Sequence, residues 1–425
     1  MTDAIRRQID AVWRMESARL IAALARLVRD VGVAEELAQD ALVAALETWP
    51  GSGVPDNPAA WLMTTAKNRA LDRLRRATWL ASRQDEVTRE IEEQIAAAQT
   101  DPEAGADDPY GDDLLRLIFT ACHPVLATEA RVALTLRLLG GLSTDEIARA
   151  FLVPEPTIAQ RIVRAKRALT DARVPFEVPR GEDAARRMAS VLEVIYLIFN
   201  EGYSATAGQE WIRPALCDEA LRLGRILARL APQDSEVQGL AALMEIQASR
   251  LHARVGPDGA PILLLDQNRA RWDRLLIRRG LDALARAQAC VGGAPGPYAL
   301  QAGIAACHAR ARTAEETDWP GIAALYAQLA EVAPSPVVEL NRAVALGMAR
   351  GPAAGLAHAD RLRSEAKLRD YHLLPSVRGD FLFKLGRLDE ARAEFERAAD
   401  LTRNERERAL LLGRAAACDK PPLSS

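Results

Sequence analysis

An almost wholly helical fold is predicted, and three observations predict it. Alanine, leucine, arginine and glutamate dominate while aromatic residues make up only 5% of the chain, a bias toward good helix formers. Long stretches repeat apolar residues every three or four positions, the period of a one-sided helix. Alternating strand patterns are nearly absent. At 425 residues the chain can hold roughly two or three domains with cores of their own, and its punctuation divides it accordingly. A three-helix unit spans 1–77, an acidic linker 78–111, a second small helical unit 112–173, a connector 174–181 and a larger helical domain 182–425.

The formal net charge of −3 excludes a generally basic, nucleic-acid-coating protein, so any contact with a polyanion has to come from local arginine clusters. Cys122, Cys217, Cys290, Cys307 and Cys418 are scattered without a CxxC pair or a recurring interval, which indicates neither a disulfide framework nor a zinc site. The adjacent pairs Cys122-His123 and Cys307-His308 lack further ligands at zinc spacing and read as small buried side chains. No apolar run approaches the roughly 18 residues that cross a bilayer, and no signal-peptide core follows the first residues. A cytoplasmic location without membrane contact is expected. With no nucleophile elbow, phosphate loop, metal constellation or paired acid/base motif, neither enzymatic activity nor a cofactor or metal is expected.

In the first unit, Gly32 separates two helices and the second is expected to end at Trp49-Pro50. Glycines and prolines over 51–58 favour an irregular segment. A third helix is expected from Pro58, with Asn57 as its N-cap. Its period places Met63, Ala66, Ala70 and Leu74 on the buried stripe, with Trp61, Thr65, Asn68, Asp72 and Arg75 opposite. The stretch 78–113 is charged and, around Asp101, Glu103, Asp107 and Asp108, acidic and proline-bearing, as a tether would be.

The most informative stretch runs from Gly141 to Leu169. Ser143 and Glu146 form a capping-box pattern that starts a short helix with Ile147, Ala148 and Phe151 inward. After a turn at Leu152 to Pro154, a second helix carries Ile158, Ile162, Ala165 and Leu169 on one stripe. Thr157, Gln160, Arg161 and Arg164 share another face, with Lys166 and Arg167 available for phosphates. Such a helix fits a major groove, where arginine reads guanine and glutamine reads adenine.

The phrase Gly-Leu-Ser-x-x-Glu-Ile-Ala, a turn, then Thr-Ile-x-x-Arg-x-x-Arg-Ala-Lys-x-x-Leu resembles region 4 of the extracytoplasmic-function (ECF) sigma factors, which reads the promoter −35 element. That family has a turn glycine where this chain has Leu152 and a capping serine where it has Pro154. With Glu155 as cap and Pro156 in the first turn, the recognition helix would start one residue later. The stretch Ala34 to Trp49 resembles the sigma region 2 helix that docks on core RNA polymerase, with Glu35, Glu36, Gln39 and Asp40 as outward polar positions. The stretch Ala60 to Arg76 resembles the part that opens and reads the −10 element. The resemblance assigns Trp61, Thr65, Lys67, Asn68, Arg69, Arg73, Arg75 and Arg76 to it, residue types suited to stacking bases and holding phosphates. For Trp61, a packing anchor between helix and loop is the alternative. The acidic linker is either a solvated tether or, as in sigma factors of this type, a nucleic-acid mimic in the polymerase cleft.

Past region 4 the chain continues for more than half its length. Phe383 to Ala399 matches a tetratricopeptide pattern, with Gly386 for helix approach, small Ala391 and Ala398, and Phe395 filling the groove; Ile322 to Leu356 is a weaker repeat. Tyr196 to Tyr203, Thr317 to Trp319 and Asp258 to Asp273 resemble phrases of a long ECF subgroup, although Asn268 stands where that subgroup has an aspartate. Asn200, Glu201, Tyr203, Asp266, Gln267, Arg269, Trp272 and Asp273 either line a regulatory site or form a fold-specifying network. The resemblance implies core RNA polymerase and promoter DNA as partners, and an extension that modulates activity in cis through contact with the sigma regions. A helix-turn-helix regulator with a helical sensor, acting on duplex operators without polymerase, is the alternative.

Overall fold

The computed structural model describes residues 2–81, 109–151, 153–205, 211–257, 259–290 and 294–419. Among them the regular structure is helical, apart from one isolated bridge between Val255 and Pro261. Two compact units divide the chain between Leu197 and Ile198.

The first unit begins with helices α1 (Thr2–Val28), α2 (Val31–Ser52) and α3 (Pro58–Ala81). Asp30 caps α2 by accepting from the Val33 amide at 2.9 Å. Asn57 caps α3 as expected, accepting from Ala60 at 3.0 Å. The second helix runs past Pro50 to Ser52 and stops at Gly53, whose φ of 84° suits glycine and whose amide donates to Trp49. A proline so near a C-terminus removes only one ladder bond, so the helix carries on for two residues. Leu62, Ala66, Ala70 and Leu74 form the buried stripe of α3; Met63, expected on it, is only half-buried. Only the first position differs: Leu62, four residues before Ala66, takes the inward place. The acidic stretch 82–108 lies outside the described residues, whereas Asp113, at the linker's edge in sequence, is buried and ion-paired with Arg26 and Arg116.

Four more helices complete the second small domain: α4 (Pro109–Ala121), α5 (Thr128–Leu138), α6 (Thr144–Phe151) and α7 (Glu155–Asp171). From Arg131 on, every residue of α5 but Arg137 is buried, as for a helix surrounded by neighbours. Helix α8 (Gly181–Tyr203) follows, and its first turns pack on this domain. Arg187 is buried against the Phe119 ring and donates to the Phe119 carbonyl, Ser190 donates to the Cys122 carbonyl at 2.6 Å, and Arg131 reaches Ser190 and Glu193. Burial pushes the Cys122 thiol up to about 11, as for an inert packing residue.

The second unit continues with α9 (Pro214–Leu230), α10 (Ser235–Ala248), α11 (Arg274–Ala289), α12 (Pro297–Arg310), α13 (Trp319–Val332), α14 (Pro336–Arg350), α15 (Pro352–Arg361), α16 (Leu373–Lys384), α17 (Leu388–Leu401) and α18 (Glu405–Ala417). Successive helices pair in hairpins, and α10 is buried on nearly all sides, with α9, α11 and α12 around it. Ala391, Phe395 and Ala398 are buried as the repeat pattern requires. Gly386 does not serve helix approach: nothing lies near its missing side chain, and it is a glycine because its φ is 74°. The close approach is made by Gly379, where an added Cβ would fall 2.8 Å from the Phe395 ring.

Candidate nucleic-acid interface

The helix-turn-helix forms around its two caps. The Ser143 amide donates to Glu146 at 2.8 Å and the Glu146 amide donates to the Ser143 hydroxyl at 3.1 Å, the reciprocal pair of a capping box. Burial pushes the Glu146 carboxyl up, but the two hydrogen bonds from Ser143 and the charges of Arg14 and Arg149 outweigh it and hold the carboxyl below its ordinary range. The second helix begins at Glu155, with Pro154 as its N-cap and Pro156 in its first turn. It therefore starts one residue earlier than a Glu155 cap would allow, because Pro154 already has extended backbone that leads into a helix and has no amide to leave unpaired. Leu152 lies outside the described residues.

Ile158, Ile162, Ala165 and Leu169 are buried on α7. Gln160, Arg164 and Arg167 are exposed, and Thr157, Arg161 and Lys166 are half-buried. Arg161 and Arg164 have no ion-pair partner among the described residues, and Arg167 is paired loosely with Asp171 at 3.4 Å. Val163, which sequence reasoning passed over, is 64% exposed on this helix. Its neighbours alternate polar and buried, so periodicity alone marks it only as an interruption.

In the three-helix unit, Trp61 is half-buried and meets the buried Trp49 edge to face, with ring centroids 5.3 Å apart. Arg73 pairs with Glu36 at 3.2 Å, Arg69 with Asp40 at 3.6 Å and Arg75 with Asp72 at 3.5 Å. Asn68 and Arg76 are exposed, while Thr65 and Lys67 are half-buried. The acidic side chains expected at the polymerase face thus sit opposite basic side chains expected at DNA, in exposed pairs that each contribute little, about 0–1 kcal/mol.

Glu35 departs from its expected outward position. It is 3% exposed on α2, between Ala34, Leu37 and Ala38, because the helix-turn-helix packs over it. Arg137 of α5 donates to it at 2.6 Å, Lys166 of α7 forms an ion pair with it, and Gln39 donates to it at 2.6 Å. Around this centre, Thr170 donates to Asp30 at 3.1 Å and Arg14 reaches Glu146 at 3.0 Å. A carboxylate expected at the polymerase and a lysine expected at a phosphate therefore neutralise one another. Arg137 is the group no motif flagged; it lies 102 residues from Glu35 in the chain.

Of the eight residues expected in the extension, three come together, Tyr203, Arg269 and Trp272, through Arg250, while the buried Gln267 donates to the Ile262 carbonyl at 3.1 Å. Arg269, 7% exposed, donates to the His308 and Ala311 carbonyls at 2.7 and 2.8 Å and to Thr317 at 3.0 Å. Asn268, where a carboxylate was expected, caps a short 3-10 turn through Ala270 at 3.0 Å. Asp273 caps α11 and Glu201 pairs with Arg213, both roles of the fold. Asp266 is exposed and Asn200 half-buried.

Three family models match the chain: "Sigma-70 region 2" over 13–80, "Sigma-70, region 4" over 116–169, and a "Family of unknown function (DUF6596)" over 187–288. An uncharacterized protein of Rhizobium meliloti (strain 1021) is 44% identical over 92% of this chain and 90% of its own length. The ECF RNA polymerase sigma factor SigK of Mycobacterium bovis (strain BCG / Pasteur 1173P2) is 32% identical over 36% of this chain and 78% of its own length. The probable ECF RNA polymerase sigma factor SigI of Mycobacterium tuberculosis (strain ATCC 25618 / H37Rv) is 27% identical over 40% of this chain and 57% of its own. The capped helix-turn-helix, the aromatic and basic third helix and these matches converge: the chain belongs to the ECF sigma factors of RNA polymerase, carrying a long helical C-terminal extension.

Proposed function

We propose that this sigma factor rests in a closed form, with regions 2 and 4 masking part of each other's working surface, and that the C-terminal extension governs in cis when they part. The observation that carries this reading is Glu35, buried with Arg137 and Lys166 at the junction of the two regions. A sigma factor acts by binding core RNA polymerase and promoter DNA. When region 4 lifts away, Lys166 is freed for a phosphate and the acidic edge of α2 for the polymerase. The exposed pairs Arg73–Glu36 and Arg69–Asp40 exchange partners at small cost, since water already competes for them.

In the proposed open form, Arg161 and Arg164 read base edges of the −35 element, Val163 meets a thymine methyl, and Arg167 binds a phosphate. Asn68, Arg73, Arg75 and Arg76 hold the −10 strand, with Trp61 set edge to face on Trp49 as the apolar base of that surface. The extension's influence is supported by α8, whose Arg187 and Ser190 are buried against region 4. The test is promoter-directed transcription with purified core polymerase, comparing the full chain with one ended after Leu197, which keeps those contacts. Initiation that depends on the chain and changes on truncation is expected. Operator binding with no core binding would favour the stand-alone regulator, and identical activity, core binding and stability in both forms would remove the cis role.

A further inference from the structure

The extension concentrates unpaired donors in one place. Among the described residues, seven of fifteen buried side-chain N or O atoms without a hydrogen-bond partner belong to a single cluster. These are the Nε atoms of Arg250, Arg254 and Arg269, Nε1 of Trp211 and Trp272, the Tyr203 hydroxyl and His308 Nδ1. Six of the seven are N–H or O–H donors.

The cations of this cluster lie on rings. The Arg254 guanidinium is 3.8 Å from the Tyr203 ring and 5.6 Å from Trp211; Arg250 is 5.7 Å from Tyr203 and 6.0 Å from Trp272; Arg269 is 5.0 Å from Trp272. No salt bridge joins any of the three to a carboxylate among the described residues, and Glu315 and Glu316 influence Arg269 only at a distance. Burial lowers the pKa of the Arg254 guanidinium, while burial together with the charges of Arg250 and Arg269 drives His308 down to about 3. Elsewhere in the same unit buried arginines are compensated, as Arg378 is by Asp360 and Glu394. Arg269 has fold partners enough in three oxygens. Arg250 and Arg254 have one each, the Gln247 side chain and the Tyr203 carbonyl. Arg250 and Arg254 are half-buried, and the fork of an arginine matches a carboxylate or phosphate oxygen pair.

We propose that the Arg250 and Arg254 guanidinium groups, held against Tyr203, Trp211 and Trp272, bind a small ligand through a phosphoryl or carboxylate oxyanion. The ligand is the missing counter-charge, and the two tryptophan N–H groups and the tyrosine hydroxyl supply neutral donors to it. Tyr203 is the last residue of α8, so occupancy tightens the end of that helix.

Binding is measured on the full chain without polymerase, so its failure leaves the sigma reading untouched. Tm and tryptophan fluorescence are followed against inorganic phosphate and against succinate, with chloride at equal ionic strength as the control. A saturable rise in Tm with either anion is expected, and which of them saturates first assigns the phosphoryl or carboxylate source. R250Q should weaken the response by roughly tenfold or more, as for loss of a charge-assisted hydrogen bond. R250K, which keeps the charge and the fold but loses the fork, should weaken it as well. R397Q serves as a control, in the basic cavity of about 540 Å³ lined also by Arg361, Arg363 and Arg369, and should respond like the parent. The anion should also raise the His308 pKa, read by NMR. No saturable shift beyond chloride with either anion, or an unchanged response in both Arg250 variants, overturns the proposal.

Discussion

The junctions of the sigma regions and one cluster of the extension use arginine in opposite ways. In the first unit, cations at the junctions meet carboxylates: Arg137 and Lys166 meet Glu35, Arg14 meets Glu146 and Arg26 meets Asp113. In the extension, Arg250, Arg254 and Arg269 meet rings and carbonyls. The difference teaches what each region lacks. Paired cations can trade an internal carboxylate for a phosphate, which suits the opening proposed for these regions. Unpaired cations held by aromatic rings await a counter-charge from outside.

The sharpest way to break this contrast is E35A. It takes the carboxylate from Arg137 and Lys166, which are each 23% exposed, so the first unit should lose about 1.5–3 kcal/mol in urea unfolding, as for loss of hydrogen bonds to a charged group. A loss below about 1 kcal/mol would make the pair an ordinary surface contact. Next in size is the acid response of the extension. His308 is held neutral, its folded pKa of about 3 lying below its usual 6.5, so below pH 6.5 the unfolded chain takes up a proton that the folded chain refuses. Stability attributable to this group is complete above pH 6.5 and falls by about 1.4 kcal/mol per pH unit toward pH 3. The difference in unfolding free energy between parent and H308Q, followed from pH 7 to 5, should show that slope, and parallel curves would remove the claim.

Smaller effects probe the reading helix. R164A should cost about 1–3 kcal/mol at the promoter position it reads and relax discrimination there, measured by competition between −35 variants. R167A should weaken all sequences alike and reduce the salt slope by about one charge. S143A removes half of the capping box and should destabilise region 4 by about 1 kcal/mol. Least of all, D40N should change stability by well under 1 kcal/mol, because its pair with Arg69 is exposed.

Much of this could be read from local sequence. The capping box at Ser143 and Glu146, the buried stripe of α7, the Asn57 cap and the packed Phe395 all depend on neighbours within one or two turns, where periodicity speaks directly. Met63 and Gly386 were misplaced by less: one residue at the first position of a stripe, and a glycine used for its left-handed backbone rather than its size. What stayed hidden was made by distant pairs. Glu35 looks like any outward acid of a helix until Arg137, on α5, closes over it. Arg250 and Arg254 sit at a helix end and in a turn without a motif, and only the fold brings Tyr203, Trp211 and Trp272 to them.

The closed form of the sigma regions is tested most directly by a reversible lock. A Cβ at Gly32 would stand 3.9 Å from that of Lys166, close to the spacing of a disulfide. A G32C/K166C chain is therefore assayed for run-off transcription with core polymerase, oxidised and then reduced, beside the parent chain under the same conditions. The oxidised form should fail to initiate and recover on reduction to the level of K166C alone, since the Lys166 charge is lost in both, while the parent is indifferent to both treatments. Equal transcription from the oxidised and reduced forms would contradict a resting state that has to open.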